Sequence, residues 1–268
     1  MNQPVSAKSR IIREYKLLGK SRHRKKTGRV ILEGKHLLQE ALHAGIEPEA
    51  VLYTPAFLDA PGNKELLDRV GRSCCYQLSE SIFNAIAQTE SPQGVGAITG
   101  IAPADPKFLW RRPNPFLLVL DRLQDPGNLG AIVRTAAAAA VDGILLLSGT
   151  VDPTNPKALR ASMGGFFYLP VISAGEFPYW LDIFAERGIR LVAADPRGEV
   201  PYYELDFSGP TALIIGNESR GVSASLLERA EDRAYIPLWG KVTSLNAAVA
   251  AALFIFERQR CLNVRSSL

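Results

Sequence analysis

Cysteine and histidine are both scarce in this 268-residue chain, at three of each. Cys74 and Cys75 are adjacent and Cys261 stands alone, so no C-x-x-C exists and the count is odd. That excludes a readable zinc ribbon or disulfide framework and predicts a reducing, cytoplasmic setting. His23, His36 and His43 all lie near the N-terminus, which leaves a histidine-based hydrolase or a His-rich metal centre little to work with. Long apolar runs are missing too. Leu245–Phe256 is shorter than the roughly 20 residues of a spanning helix, so no membrane partner is expected. The start has no charged stretch followed by an apolar one, which predicts no secretory leader. Its wealth of Arg, Lys and Ser also admits an organelle transit peptide. No G-x-G-x-x-G, G-x-x-x-x-G-K-[ST] or G-x-S-x-G occurs. A dinucleotide fingerprint, the glycine loop of a Rossmann methyltransferase, a P-loop and a nucleophile elbow are therefore absent.

What is present describes an ordinary globular protein. Hydrophobic residues make up 47% and charged residues 22%, a composition that excludes disorder throughout. The length suits one large domain or two modest ones. The net charge of +4 is unevenly spread. Residues 8–35 carry eleven basic residues against Glu14 and Glu33, so the remainder is net acidic. A concentrated basic segment is an electrostatic footprint for a polyanion such as RNA. Arg22, Arg24, Lys25, Lys26, Arg29 and Lys35 are its candidate RNA contacts. A solvated basic helix without a partner fits the charge equally well.

The pattern predicts a basic amphipathic helix over 8–19, with Ile11, Ile12, Tyr15 and Leu18 on its apolar side. Lys20–Thr27 is expected as a loop. Strands are expected at Val30–Leu32 and Val51–Tyr53, and helices at Leu37–Ala44 and Lys64–Arg72. Residues 1–101 thus form a small α/β domain. The prolines of 102–115 predict an extended linker. Residues 116–268 form a second α/β domain. Phe116–Leu120, Gly143–Leu147, Arg190–Ala194 and Thr211–Ile215 are apolar runs alternating with helical stretches, which argues for a parallel sheet covered by helices. Ligands of such sheets sit beyond the carboxyl ends of the strands.

Three strand-end segments stand out there. Asp121–Thr135 follows the first apolar strand and opens an Ala-rich helix, with Asn128 expected near its N-cap and Arg134 further along. Ile214–Gly221 runs from a strand into Gly216-Asn217-Glu218, then Gly221. After Ile236-Pro237, Ser244 is expected to cap a long apolar helix with Asn246 in its first turn. Asparagine has poor propensity there, which hints at a role beyond helix stability. Such a helix, apolar almost all round to Phe256, belongs in a large core or a subunit interface.

Asn128-x-Gly130-x-x-x-Arg134-Thr135, Gly216-Asn217-Glu218-x-x-Gly221, and Ile236-Pro237-Leu238 followed by Ser244-Leu245-Asn246-x-Ala248 resemble, in order and spacing, the three motifs of the SpoU (TrmH) family of RNA 2′-O-ribose methyltransferases, in the SPOUT superfamily. Arg29–Gly34 and Thr89–Gly96 are similar to the start and end of the family's N-terminal substrate-binding domain, which resembles small ribosomal proteins. The match covers most of the chain and counts against a transit peptide. The resemblance implies a C-terminal parallel sheet with a deep trefoil knot, bound S-adenosyl-L-methionine, no metal, and a homodimer. It implies Arg134, Asn128, Glu218, Ser244 and Asn246 as catalytic residues, with Glu218 and Asn128 holding Arg134. It implies Gly216, Asn217, Ile236, Leu238 and Leu245 around the cofactor. The separate N-terminal domain favours ribosomal over transfer RNA. A non-enzymatic RNA-binding or ribosome-assembly protein on the same fold is the other class.

Overall fold

The structure is a computed structural model that describes residues 5–266, with side chains through Leu262. It divides into two compact units, Met1–Ala102 with Asp152–Phe167, and Pro103–Val151 with Tyr168–Leu268. In the first unit lie α1 (Arg10–Leu18), α2 (Ser21–Thr27), β1 (Arg29–Glu33), α3 (Lys35–His43), β2 (Ala50–Tyr53), α4 (Pro55–Asp59), α5 (Asn63–Val70), β3 (Cys75–Gln77), α6 (Glu80–Asn84) and β4 (Val95–Gly100). In the second lie β5 (Phe116–Leu120), α7 (Pro126–Ala138) and β6 (Gly143–Leu147). The chain returns to the first unit with α8 (Pro156–Ala161). The second unit resumes with β7 (Val171–Gly175), α9 (Pro178–Glu186), β8 (Arg190–Ala194), β9 (Val200–Pro201), β10 (Thr211–Ile215), α10 (Ala224–Leu227), β11 (Asp232–Tyr235) and α11 (Ala247–Ser266).

The first unit is built on a four-stranded sheet of order β1-β4-β2-β3. β4 runs antiparallel to both neighbours, and β2 and β3 are parallel. Helix α1 forms because its apolar residues recur at helical spacing behind the Ser9 cap. Ile12, Tyr15 and Leu18 are buried with Ile31, Leu52 and Phe83. Lys20–Thr27, expected as a loop, is helix α2. Nothing breaks it before Gly28, which adopts φ +66° and ends it with a left-handed turn. Its basic residues crowd the last turn, where the helix dipole favours them.

The stretch 152–167 lies within what the sequence pattern treats as one continuous C-terminal domain. Here it packs with the first unit. Leu159 is fully buried among Val30, Leu32 and Leu38, and Asp152 accepts hydrogen bonds from Ser21 Oγ (2.7 Å) and Arg24 Nη2 (2.6 Å).

The proline-rich 102–115 is not a free linker either. Pro106–Trp110 forms a 3-10 turn capped by Asp105. Leu109 is fully buried, and Trp110 sits edge-on to Phe184 and under the Arg187 guanidinium. Proline fits the first turn of a helix, and Leu109 and Trp110 supply an apolar anchor.

The second unit holds a seven-stranded sheet of order β7-β6-β5-β10-β8-β11-β9. Every pairing in it is parallel. From β5 the chain steps outward to β6 and β7, then crosses to build the other half from β8 onward. β5 and β10 are the neighbours at which the winding reverses, and the crevice at such a point is where ligands bind. Both strands are buried along their whole length. No described helix is long and apolar enough to cross a membrane. Helix α11 buries Ala251, Phe254 and Ile255, but Val249 is 51% and Phe256 53% exposed. The expected all-round burial of that helix is therefore not present in the single chain.

Candidate functional site

The first two motifs meet because β5 and β10 are hydrogen-bonded neighbours. Each ends in a loop at the same edge of the sheet. Asp125, not Asn128, caps α7 and accepts the Asn128 N–H at 2.9 Å. Asn128 sits in the first turn, and its side chain is not used as the cap. Glu218, in the loop after β10, accepts three hydrogen bonds. They come from Gln124 N–H (3.1 Å), Asp125 N–H (3.0 Å) and Asn128 Nδ2 (3.0 Å). Burial acts to raise the Glu218 pKa, but these donors outweigh it and hold the carboxyl below its ordinary range.

The third motif joins this pair. Asn246 Nδ2 donates to Asn128 Oδ1 at 2.8 Å. Asn246 Oδ1 accepts Ala248 N–H (2.8 Å) and Val249 N–H (3.3 Å), so Asn246 and not Ser244 caps α11. The asparagine expected to weaken a first turn stabilises the helix start instead. The three side chains form one chain of fixed polarity. A carboxylate only accepts, so Asn128 must present its NH₂ to Glu218 and its oxygen to Asn246. Asn246 must then turn its own oxygen to the helix.

Gly216 is demanded by the chain itself. A Cβ there would lie 2.1 Å from the Gly221 carbonyl carbon. Asn217 and Gly221 exchange both backbone hydrogen bonds at 3.0 and 2.9 Å, and Gly221 closes the turn at φ +69°. Asn217 Oδ1 accepts from Ser219 and Arg220 N–H, and its Nδ2 donates to Arg122 O. The Gly-Asn-Glu-x-x-Gly pattern is thus a folded-back loop that holds Asn217 inward and presents Glu218.

A cavity of ≈ 360 Å³ lies at the carboxyl ends of β8, β10 and β11, within the size range of small-molecule sites. Gly216, Asn217, Ile236, Leu238 and Leu245 all line it, as do Glu218 and Ser244. Asn128, Arg134 and Asn246 do not. Sequence reasoning missed Ala194, Asp195 and Pro196 at the end of β8, and Phe254 of α11. The first three were findable, because they too end a strand of the sheet. Burial acts to raise the Asp195 pKa, but hydrogen bonds from Arg197 N–H and Arg233 Nη2 (2.7 Å) hold it low. Phe254 could not be found without knowing where α11 packs.

Arg134 is exposed on α7. It makes no hydrogen bond or ion pair with any described residue, so the expectation that Glu218 and Asn128 hold it is not met. The basic candidates also separate. Arg22, Lys25 and Lys26 are exposed, and Lys35 is half-buried. Arg29 is engaged by Glu14 (2.9 Å) and Glu49 (3.3 Å). Arg24 must be withdrawn as an RNA contact, since it is 3% exposed. Its guanidinium is consumed by Asp152, Thr154 Oγ1 and the carbonyls of Leu18 and Gly19.

Comparison with known proteins gives the family. The model of the SpoU rRNA Methylase family matches residues 115–256. The MRM3-like substrate binding domain matches residues 9–97. The chain is 37% identical over 258 residues to the 23S rRNA (guanosine(2553)-2'-O)-methyltransferase RlmP of Bacillus subtilis (strain 168), covering 96% of this chain and 99% of that one. Among solved structures it is similar to the AdoMet-bound rRNA methyltransferase from Sinorhizobium meliloti, with TM-score 0.82, 30% identity, and 96% and 97% of the two chains covered. It is also similar to the SpoU methyltransferase AviRb from Streptomyces viridochromogenes in complex with AdoMet, with TM-score 0.84, 27% identity, and 94% and 98% covered. With its three strand-end motifs assembled on one edge of a parallel sheet, this chain belongs to the SpoU rRNA methylase family.

Proposed function

We propose that this protein methylates a ribose 2′-hydroxyl of RNA from S-adenosylmethionine, and that its substrate is ribosomal RNA. The observation that carries this is the junction of Glu218, Asn128 and Asn246 at the β5–β10 crevice. It draws the three motifs together while leaving Arg134 unengaged on the same helix as Asn128. RlmP is named as a 23S rRNA 2′-O-methyltransferase, and the two similar structures hold AdoMet.

The cavity suits the cofactor. Ile215, Leu238, Leu245 and Phe254 give it apolar walls, while the loops at Gly216 and Ile236 bring backbone polar groups to its rim. When bound there, S-adenosylmethionine supplies an activated methyl group. The protein's task is then mainly to position the acceptor. Arg134 carries a permanent positive charge and a planar fork of donors. It grips a phosphate beside the target ribose and orients the neighbouring 2′-hydroxyl. Ser244, on the cavity wall, and Asn246 reach the nucleotide or the cofactor. Glu218 locks the start of α7, and through Asn128 the start of α11.

Exposed Arg22, Lys25 and Lys26 hold the RNA backbone, together with Lys35 and the partly engaged Arg29. A second copy of the chain covers Val249 and Phe256 of α11 and the exposed Trp239 and Val242. The loop 236–246 and α11 carry the trefoil knot that the family resemblance implies. The enzyme works in the cytoplasm.

The test is transfer of tritiated methyl from S-adenosylmethionine to unmodified ribosomal and transfer RNA in separate reactions. Label at one alkali-resistant linkage of ribosomal RNA is expected. Label in transfer RNA alone would replace the substrate. Bound cofactor by calorimetry with no transfer to either RNA would overturn the enzymatic reading.

A further inference from the structure

Cys74 and Cys75 take no part in the chemistry above. They straddle a change of backbone shape in the first unit. Helix α5 ends at Gly71, which adopts φ +95°. Arg72–Cys74 is a 3-10 turn, and β3 starts at Cys75. Adjacent side chains within one strand point to opposite faces. At this junction they do not. Cys74 Sγ donates to Gly71 O at 3.2 Å, and Cys75 Sγ donates to the same oxygen at 3.4 Å. Their further acceptors, Val70 O at 3.6 Å and Leu67 O at 3.9 Å, are carbonyls of the last turn of α5. Two adjacent thiols therefore converge on one point.

Their surroundings differ. Cys75 is buried and Cys74 is half-buried, so one sulfur of the pair is reached from solvent. Burial, and after it the neighbouring Cys74 thiol, push the Cys75 thiol up to about 11. Cys75 is thus a protonated thiol at neutral pH. β3 is the last strand of its sheet and pairs with β2 alone, so no further strand lies beyond it.

These facts choose among the reactions open to a dithiol. A disulfide usually needs Cα atoms about 4.4–6.8 Å apart. Consecutive residues hold theirs at about 3.8 Å, so a direct S–S bond is strained. Structural zinc takes four ligands, and no group of three His, Cys, Asp or Glu is placed to hold a metal ion among the described residues. A divalent ion also requires its thiols to ionise, which the burial of Cys75 resists. A trivalent arsenical has none of these needs. Its pyramidal atom takes two sulfurs on one side and keeps an organic group as third ligand. It reacts with neutral thiols. Two As–S bonds form, the arsenic–oxygen double bond breaks, and the oxygen leaves as water with both thiol protons. Arsenic stays trivalent, and the product brings no charge into a site that disfavours charge. The bridging atom also joins the sulfurs without closing the strained disulfide ring. We propose that Cys74 and Cys75 form a vicinal dithiol site that chelates one trivalent arsenical. The site stands apart from methyl transfer and does not depend on it.

The probe is phenylarsine oxide, added to the full folded chain. Cys261 is the remaining cysteine and serves as the internal control. One equivalent is expected to bind, raising the mass by one arsenical less one water and removing two of the three titratable thiols. Excess monothiol should leave the adduct in place, and a small dithiol should strip it. Cys74→Ser and Cys75→Ala should each weaken binding about a hundredfold, the advantage of tethering the second contact, and any residual adduct should yield to monothiol. Cys261→Ser should bind as wild type does. Cys74→Ser replaces a half-buried thiol by a similar hydrogen-bond donor, and a melting temperature near wild type certifies its fold, so the test does not hang on the buried Cys75. A wild-type adduct that monothiol removes, loss of only one thiol, equal affinity in Cys74→Ser, or reaction only after denaturant is added would each overturn the proposal.

Discussion

The chain of side chains from Glu218 through Asn128 to Asn246 can be broken by exchanging one nitrogen for oxygen. Asn128→Asp keeps the shape and the bond to Asn246 but turns a donor into a charge facing Glu218 across the 3.0 Å contact. At that separation Coulomb repulsion is about 1.4 kcal/mol in water and about 5.5 kcal/mol at an effective dielectric of 20. The lost hydrogen bond to a charged group adds roughly 1–2 kcal/mol at an exposed site. Against this, a carboxylate in the first turn of α7 gains only about 0.3–1 kcal/mol from the helix dipole. The contact is exposed, so the water-like value applies and repulsion wins by about 1.5–3 kcal/mol. At roughly 2–4 °C per kcal/mol for a unit of this size, the melting temperature should drop by about 3–12 °C at pH 8. Lowering the pH to 5 should narrow the gap. The like charge raises one carboxyl's pKa in the native state, so that state binds more protons than the unfolded one and gains stability as pH falls. Methyl transfer should be lost while cofactor affinity stays within a few-fold, because Asn128 lies outside the cavity. Adding Glu218→Gln should restore a donor to face the introduced carboxylate and recover part of the loss. Thermal unfolding of Asn128→Asp identical to wild type at both pH values would refute the wiring.

Five other outcomes follow from the same structure. Arg134→Ala should abolish methyl transfer yet leave the melting temperature and calorimetric cofactor affinity near wild type, since the side chain is exposed and supports nothing in the fold. Gly216→Ala should weaken cofactor binding at least tenfold and lower the melting temperature, because the new Cβ would collide with the backbone at Gly221 and overpacking typically costs about 1–3 kcal/mol. Reversing Arg22, Lys25 and Lys26 to Glu should weaken RNA binding and flatten the plot of log affinity against log salt by about 2–3. Deleting the whole segment would also strip Ile12, Tyr15 and Leu18 of α1 from the core. Arg24→Ala should destabilise the first unit by about 3–5 kcal/mol, as for a buried pair that loses one partner. Burial acts to raise the Asp152 pKa, but hydrogen bonds from Thr154, Ser21 and Arg24 hold it low. The stability this carboxylate contributes is therefore present above the ordinary carboxylate range and lost as pH falls through its depressed native value. Asp152→Asn should melt well below wild type at neutral pH and converge on it in acid.

Much of the architecture was written locally. The buried parallel strands are continuous apolar runs, and every one named from the sequence pattern is a strand here. Amphipathic α1 needed only its periodicity and a serine cap. The three motifs were legible because each combines a strand end, a glycine or proline turn and a polar side chain. Errors arose where distant packing overrides local signals. Lys20–Thr27 looks like a loop by charge, but Arg24 finds Asp152 more than a hundred residues away. The proline-rich 102–115 looks extended, but Leu109 and Trp110 find a core. Residues 152–167 carry no local mark of the unit they join.

The sequence alone determined most of the elements, the motifs and the family, because backbone propensity, turn chemistry and apolar periodicity act within a few residues. Tertiary structure decided the partners. Strand order placed β10 beside β5, and that adjacency gave Glu218 to Asn128 across ninety residues of chain. It also left Arg134 without the partners its motif suggested, buried Arg24 within a basic run, and enclosed Arg160 Nη1 without an acceptor among the described residues. Hydrogen bonds and burial depend on which groups the fold brings within about 3 Å of one another, and spacing along the chain does not carry that information.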